Sequence, residues 1–387
     1  MKNFPILLLI FCLLAFSNTK SQTVAISPQF YGINAWFINA KDAVVNTFAS
    51  TFTAQLAAVK ASGAEYVRIG GNAPNWDQLY NFNSTNLSIN TPVTRLEYLI
   101  EKIRGAGMEP IIQVSVVPPT FTTTCSVYSS PSGYQALGNL SVDEQATVAA
   151  NLLDYLNNIL HLDLKFWIIA NEPDLAIGNC ADPQGYSLSA ESDAVTIANY
   201  IKTFSTHMKD MDPQIQIIGP ELASFSTDDN ANKMMAALLS NPTASASTSI
   251  LGKITDTNFP NAVGQYFIDV VSFHYYPGSG NISDVASVQS NPTHSTSGIS
   301  AKLSTTVSTR TGIVDMLTDA GRTIGDCRVA CTEFNIAVND QLTESGATYS
   351  DNVNSFDNRS FAAGQWLCEV FAESIKNSQG EIHGCRL

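Results

Sequence analysis

From residue 30 onward, short apolar runs alternate with longer amphipathic ones. The runs at 30–36, 66–70, 110–116, 166–170, 215–219, 270–275 and 329–333 have the length of strands. Several are unbroken, as in Phe166-Trp167-Ile168-Ile169-Ala170, the pattern of strands covered on both faces in a parallel sheet. Between them the pattern predicts helices near 50–62, 94–106, 142–160, 191–210, 300–320 and 359–375. In the third of these, Val148, Leu152, Leu153, Leu156 and Ile159 recur at steps that line one helical face. Gly63, Gly105 and Gly321 each follow a helical run and precede a strand, where a helix stop belongs.

Repeated βα units at irregular spacing predict an α/β protein of the (β/α)₈-barrel (TIM) type. A doubly wound open sheet is the main competitor. Its first strand should lead into a Gly-rich phosphate turn, and Phe30-Tyr31-Gly32-Ile33-Asn34 offers none. Long polar insertions at 117–141, 174–190, 277–298 and 336–358 all follow strand C-termini, the barrel face where binding loops gather. After the helix expected at 359–375 no apolar strand of normal length follows. Either residues 381–387 serve as a poor eighth strand, or the barrel is incomplete at its C-terminus.

Composition narrows the class. The 387 residues are 44% hydrophobic and 14% charged, enough apolar material for a sizeable core. The net charge of −14 disfavours contact with phosphate backbones, so no nucleic-acid partner is expected. The first 21 residues combine a basic start, an apolar stretch from Phe4 to Phe16 and a polar end. That is the layout of a cleavable export signal, with too few apolar residues to span a bilayer. The expected mature chain is a single domain over 22–387, secreted, periplasmic or extracellular, with no stable membrane insertion. Losing Lys2 and Lys20 with the signal takes the net charge to −16. Export permits disulfides among Cys125, Cys180, Cys327, Cys331, Cys368 and Cys385. Cys125 and Cys180, both in polar loops, are the favoured pair. Cys327 and Cys331 lack companion histidines and are expected to be structural or free thiols rather than a zinc site.

Two carboxylates stand out by position. Strand four runs into Asn171-Glu172-Pro173-Asp174, and strand seven into Thr332-Glu333-Phe334-Asn335. An apolar strand does not carry a glutamate at its tip for packing, because an unpaired buried charge is costly. On one barrel face the two carboxyls point to a shared function. These turns resemble those of the clan A glycoside hydrolases, retaining (β/α)₈-barrel glycosidases with the acid/base after strand four and the nucleophile after strand seven. Tyr66-Val67-Arg68-Ile69-Gly70-Gly71-Asn72 and Ser272-Phe273-His274-Tyr275-Tyr276-Pro277 add two further matches, and the resemblance covers residues 28–375.

The resemblance implies a glycoside hydrolase acting on β-linked oligo- or polysaccharide without cofactor or metal. Glu172 is then the general acid/base, with a raised pKa, and Glu333 the nucleophile, the carboxyls being about 5–5.5 Å apart. Arg68 lies under Glu333 and keeps it ionised, Tyr276 donates to Glu333, and Asn171 holds the sugar 2-hydroxyl. His274 either orients these groups and contacts sugar or is a satisfied core histidine. Trp36 and Trp76 are the candidate sugar platforms, while Trp167 and Trp366 are core. Asp174 and Glu221 are placed near the cleft, Asp269 at the opposite face, and Asp228-Asp229 in a solvated loop. One departure from the family pattern is the lack of an aromatic residue after an eighth strand. The rival readings are a non-catalytic carbohydrate binder on the same scaffold and a metal-dependent barrel hydrolase, the latter disfavoured because only His274 among five histidines sits at a strand end.

Overall fold

The computed structural model describes residues 32–34, 49–70, 82–114, 140–174, 190–223, 229–242, 248–275, 312–323 and 325–334. The order is β1 (Gly32–Asn34), α1 (Ala49–Ala61), β2 (Tyr66–Ile69), α2 (Thr94–Gly105), β3 (Glu109–Gln113), α3 (Val142–Leu153), β4 (Phe166–Ile168), α4 (Ala190–Met211), β5 (Gln216–Leu222), α5 (Asp229–Leu238), β6 (Val270–Tyr275), α6 (Ile313–Asp319) and β7 (Arg328–Phe334). All seven strands are parallel, and each pairs with its neighbour in sequence. That order excludes the doubly wound sheet, whose strand sequence reverses at a switch point. The described strands make a curled, incomplete (β/α)₈ barrel.

Alternation along the strands separates two cores. Tyr66, Ile111, Phe166, Ile168, Ile218, Val270 and Ala330 form the filling inside the curl. Their neighbours in sequence, including Val67, Ile112, Trp167, Ile217, Val271 and Val329, face outward and pack with Leu96, Ile100, Leu152, Ile201 and Phe204 of the helices. Trp167 is buried as expected, and its indole N–H donates to the Leu164 carbonyl at 2.9 Å.

Helix α3 starts where Ser141 and Glu144 form a reciprocal capping box. The expected helix over 142–160 changes character at Asp154, where a π-helical turn runs to Ile159. The wider turn carries Ile159 off the apolar face, and it is 60% exposed although it continues the periodic series. Gly63 and Gly321 stop their helices in the left-handed conformation as expected. Gly105 does not: it ends α2 as a helical residue, and Gly107, at φ 78°, makes the turn.

Helix α5 was not expected from the pattern, and Asp229 opens it instead of lying in a loop. Its Met234, Met235 and Leu238 are buried in the outer core. Asp269 lies before β6 at the far end of the sheet, as expected, accepting from Lys209 Nζ and the Ile217 N–H, each at 2.8 Å. Cys327 is a buried free thiol, and Cys331 is buried as well. The export signal, Cys125, Cys180, Cys368, Cys385, Trp366 and the C-terminal segment lie outside the described residues. No described helix is long and apolar enough to cross a membrane.

Candidate active site

The C-terminal rim of the sheet collects charge. Arg68 on β2 shares the inward face with Tyr66, two residues earlier. On β6, Ser272 and His274 share it with Val270. Glu221 and Glu333 arrive by a different route. Strict alternation would send Glu333 outward with Val329 and Cys331, and Glu221 outward with Ile217. The pairing of β5 with β6 slips between Pro220 and Leu222, and that of β6 with β7 skips Thr332. Each bulge re-aims a glutamate into the barrel mouth. Positive φ at Ala170 (69°), Glu172 (47°) and Glu221 (59°) completes the rim. Such conformations each cost about 1–3 kcal/mol and collect at functional sites.

The side chains interlock. Arg68 Nη1 donates to Glu333 Oε1. Arg68 Nη2 donates to Asn171 Oδ1 at 2.6 Å and to Glu221 Oε2 at 2.8 Å. Thr332 Oγ1 donates to the other Glu221 oxygen at 2.7 Å. His274 Nδ1 lies 3.0 Å from Glu172 Oε1 and 3.6 Å from Glu333 Oε2, and its Nε2 lies 3.3 Å from Glu221 Oε2. Glu172 and Glu333 each have an oxygen within 4.8 Å of the other's. The Glu172 side chain is 13% exposed and that of Glu333 only 4%, so Glu172 faces the opening.

Burial alone would strip these groups of charge, and their neighbours restore it. Desolvation works against the Arg68 cation, but Glu333 and Glu221 hold its pKa above the ordinary value. Desolvation pushes the Glu221 carboxyl up, yet Arg68 and then His274 bring it down to about 2. Desolvation pulls His274 down, yet the Glu333 charge and hydrogen bonds to Glu172 and Glu221 bring it up to about 10. His274 is therefore an imidazolium at neutral pH, donating from both ring nitrogens.

The signs set a pH window. The raised His274 pKa gives stability that is complete below its ordinary 6.5 and lost as pH rises through about 10. The lowered Glu221 pKa gives stability that is complete above its ordinary 4.5 and lost as pH falls through about 2. Urea midpoints should therefore peak between pH 4.5 and 6.5 from these two groups. In His274→Asn the alkaline decline from this source should disappear, and an unchanged alkaline limb would contradict the assignment.

Glu172, His274 and Glu333 also present one potential metal donor atom each. A cation there would face the Arg68 guanidinium and would need His274 without a proton on the donor nitrogen. The donor set suits a proton network better than a metal. Of the expected site residues, Glu172, Glu333, Arg68, Asn171 and His274 meet in one cluster, whereas Trp36, Trp76 and Tyr276 lie outside the described residues. Asp174 accepts from the Ala223 N–H at 2.9 Å and braces the rim. Glu221, placed near the cleft from the sequence, lies at the centre of the network. Its signal was a carboxylate ending the apolar run Ile215–Leu222. Tyr275, beside it in sequence to His274, packs outward into the core, where burial raises its pKa.

No protein-family model and no curated protein matches the sequence. Solved structures do resemble the fold. A GH39 β-xylosidase from Caulobacter crescentus aligns over 92% of this chain and 61% of its own at TM-score 0.51 and 14% identity. A monomeric β-xylosidase from the same organism aligns over 92% and 59% at 0.53 and 13% identity. The chain thus spans about three fifths of the length of those structures. The likeness shows the architecture: the described residues build seven strands of a (β/α)₈ barrel of the kind in these glycoside hydrolases, the fold that a resemblance to clan A implies.

Proposed function

We propose that the protein is an exported retaining glycoside hydrolase that cleaves β-glycosidic bonds in oligo- or polysaccharide. The observation that supports this most directly is the pair Glu172 and Glu333, with carboxylate oxygens within 4.8 Å of each other at one rim of the sheet. Inverting enzymes need about 6.5–9.5 Å between carboxyl groups to admit a water, whereas retaining ones use about 5–5.5 Å. Glu172, the more exposed carboxyl, gives its proton to the leaving oxygen. Glu333, fixed by Arg68 and ionised, attacks the anomeric carbon and forms a glycosyl ester. Glu172 then takes a proton from the water that hydrolyses the ester. Asn171, held by Arg68, stands beside Glu172 and receives the sugar 2-hydroxyl. The export signal expected at 1–21 supports an activity outside the cytoplasm.

The experiment is a panel of aryl β-glycosides, xylosides and glucosides among them, with the product anomer followed by proton NMR. Retention is expected: the β-anomer appears first and then mutarotates. Inversion, or no turnover by folded protein across the panel and across neutral polysaccharides, would overturn the reading. Saturable sugar binding without turnover would instead make the chain a carbohydrate-binding protein.

A further inference from the structure

We propose that Glu221 is a positioning residue that sets how many protons the Glu172–His274 pair holds, and so keeps Glu172 in its acid form. The inference rests on the glycosidase reading and adds a third carboxylate to it. Glu221 is fully buried, with Oε2 shared between Arg68 and His274 and Oε1 held by Thr332. Its own N–H donates to Ser272 Oγ at 3.1 Å. So enclosed, Glu221 does not reach a sugar and acts through its neighbours.

Among the described residues, the charges facing this site are few enough to balance. Strand β2 brings Arg68, β5 Glu221, β6 His274 and β7 Glu333, while the segment after β4 brings Glu172 and Asp174. Asp174 is directed to the Ala223 N–H. With Arg68 and His274 cationic and Glu221 and Glu333 anionic, the four cancel, and the state of lowest charge has Glu172 neutral. A neutral Glu172 is the form that can protonate a leaving group. Without the Glu221 charge, the same buried cluster carries one positive charge too many. The least costly correction is loss of a proton from Glu172 or His274, because an uncompensated charge is expensive in a dry site. These two groups are 3.0 Å apart and titrate together, so the proton belongs to the pair.

The test uses Glu221→Gln and Glu221→Asp in the full chain. With the aryl β-glycoside that the wild type cleaves best, the alkaline limb of kcat/KM in Glu221→Gln should move about one pH unit or more towards acid. At neutral pH, kcat should fall about tenfold while KM changes less than about threefold, in keeping with loss of general-acid function. Glu221→Asp keeps the charge and should keep the limb. Should Glu221→Gln not fold, Thr332→Val removes one donor from Glu221 and should shift the limb in the same direction by less. A loss of rate equal at all pH values, with the limb unmoved, would overturn the proposal. A second readout needs no turnover. With ¹⁵N-labelled histidine and ¹³C-labelled glutamate, NMR should show the Glu172–His274 pair holding one proton fewer at pH 7 in Glu221→Gln than in the wild type. An equal count overturns the role of Glu221. If the wild type cleaves nothing, the glycosidase reading fails by itself, and the proton count still decides this one.

Discussion

Glu333→Gln is expected to lose turnover of aryl β-glycosides by on the order of 10⁴-fold or more, with the fold intact. The amide has nearly the shape of the carboxylate and can still accept from Arg68, but it has no charge with which to attack an anomeric carbon. No other described carboxylate can replace it. Glu172 lies on the leaving-group side, and Glu221 is closed off by Arg68, His274 and Thr332. The loss should fall on kcat and kcat/KM together, since the missing interaction belongs to the transition state. A circular-dichroism melt alongside the kinetics separates lost chemistry from lost structure. Residual activity within about tenfold of the wild type would remove Glu333 from the role of nucleophile and the double-displacement mechanism with it.

Arg68→Met should be the most damaging single change for stability, by about 3–5 kcal/mol at pH 7. Arg68 donates to both Glu221 and Glu333, and all three side chains are at least 96% buried. Methionine fills much of the space but leaves two carboxylates facing one another with His274 as the remaining described cation beside them. The sign of the pH dependence identifies the cause. Once stranded, the carboxyls have raised folded-state pKa values, so the deficit shrinks as pH falls and they take up protons. Urea denaturation at pH 7 and pH 5 measures this. A deficit of the same size at both pH values would mean that lost packing, rather than uncompensated charge, is what Arg68 prevents.

The strands were the most legible part of the molecule. A continuous run such as Phe166–Ala170 has few alternatives to a doubly covered strand, and β6 has the limits its apolar run indicates. The helical pattern was less complete. Helix α5 begins at Asp229, and its polar first half, Asp229-Asn230-Ala231-Asn232-Lys233, reads as a continuation of the polar segment before it. Ile159 kept the right spacing yet lies outside, because spacing does not register the switch to a wider turn. Within the site, Glu172, Glu333 and Arg68 were visible as charged residues at the ends of apolar strands. The weight carried by Glu221 was not, for a physical reason. A period-two reading assigns it to the outer face, and only a bulge with a left-handed residue turns it inward. Bulges leave little mark on composition.

The skipped residue in β7 has a practical corollary. Because Glu333 reaches the pocket through a slip of phase between neighbouring strands, its aim depends on chain length as much as on side-chain chemistry. Removing Thr332 would let the ladder close regularly with Glu333 still opposite His274, so the rim would keep this carboxylate and lose the hydroxyl that holds Glu221. Deletion and insertion scanning along this strand would therefore map how the reactive rim is assembled more sharply than any set of substitutions.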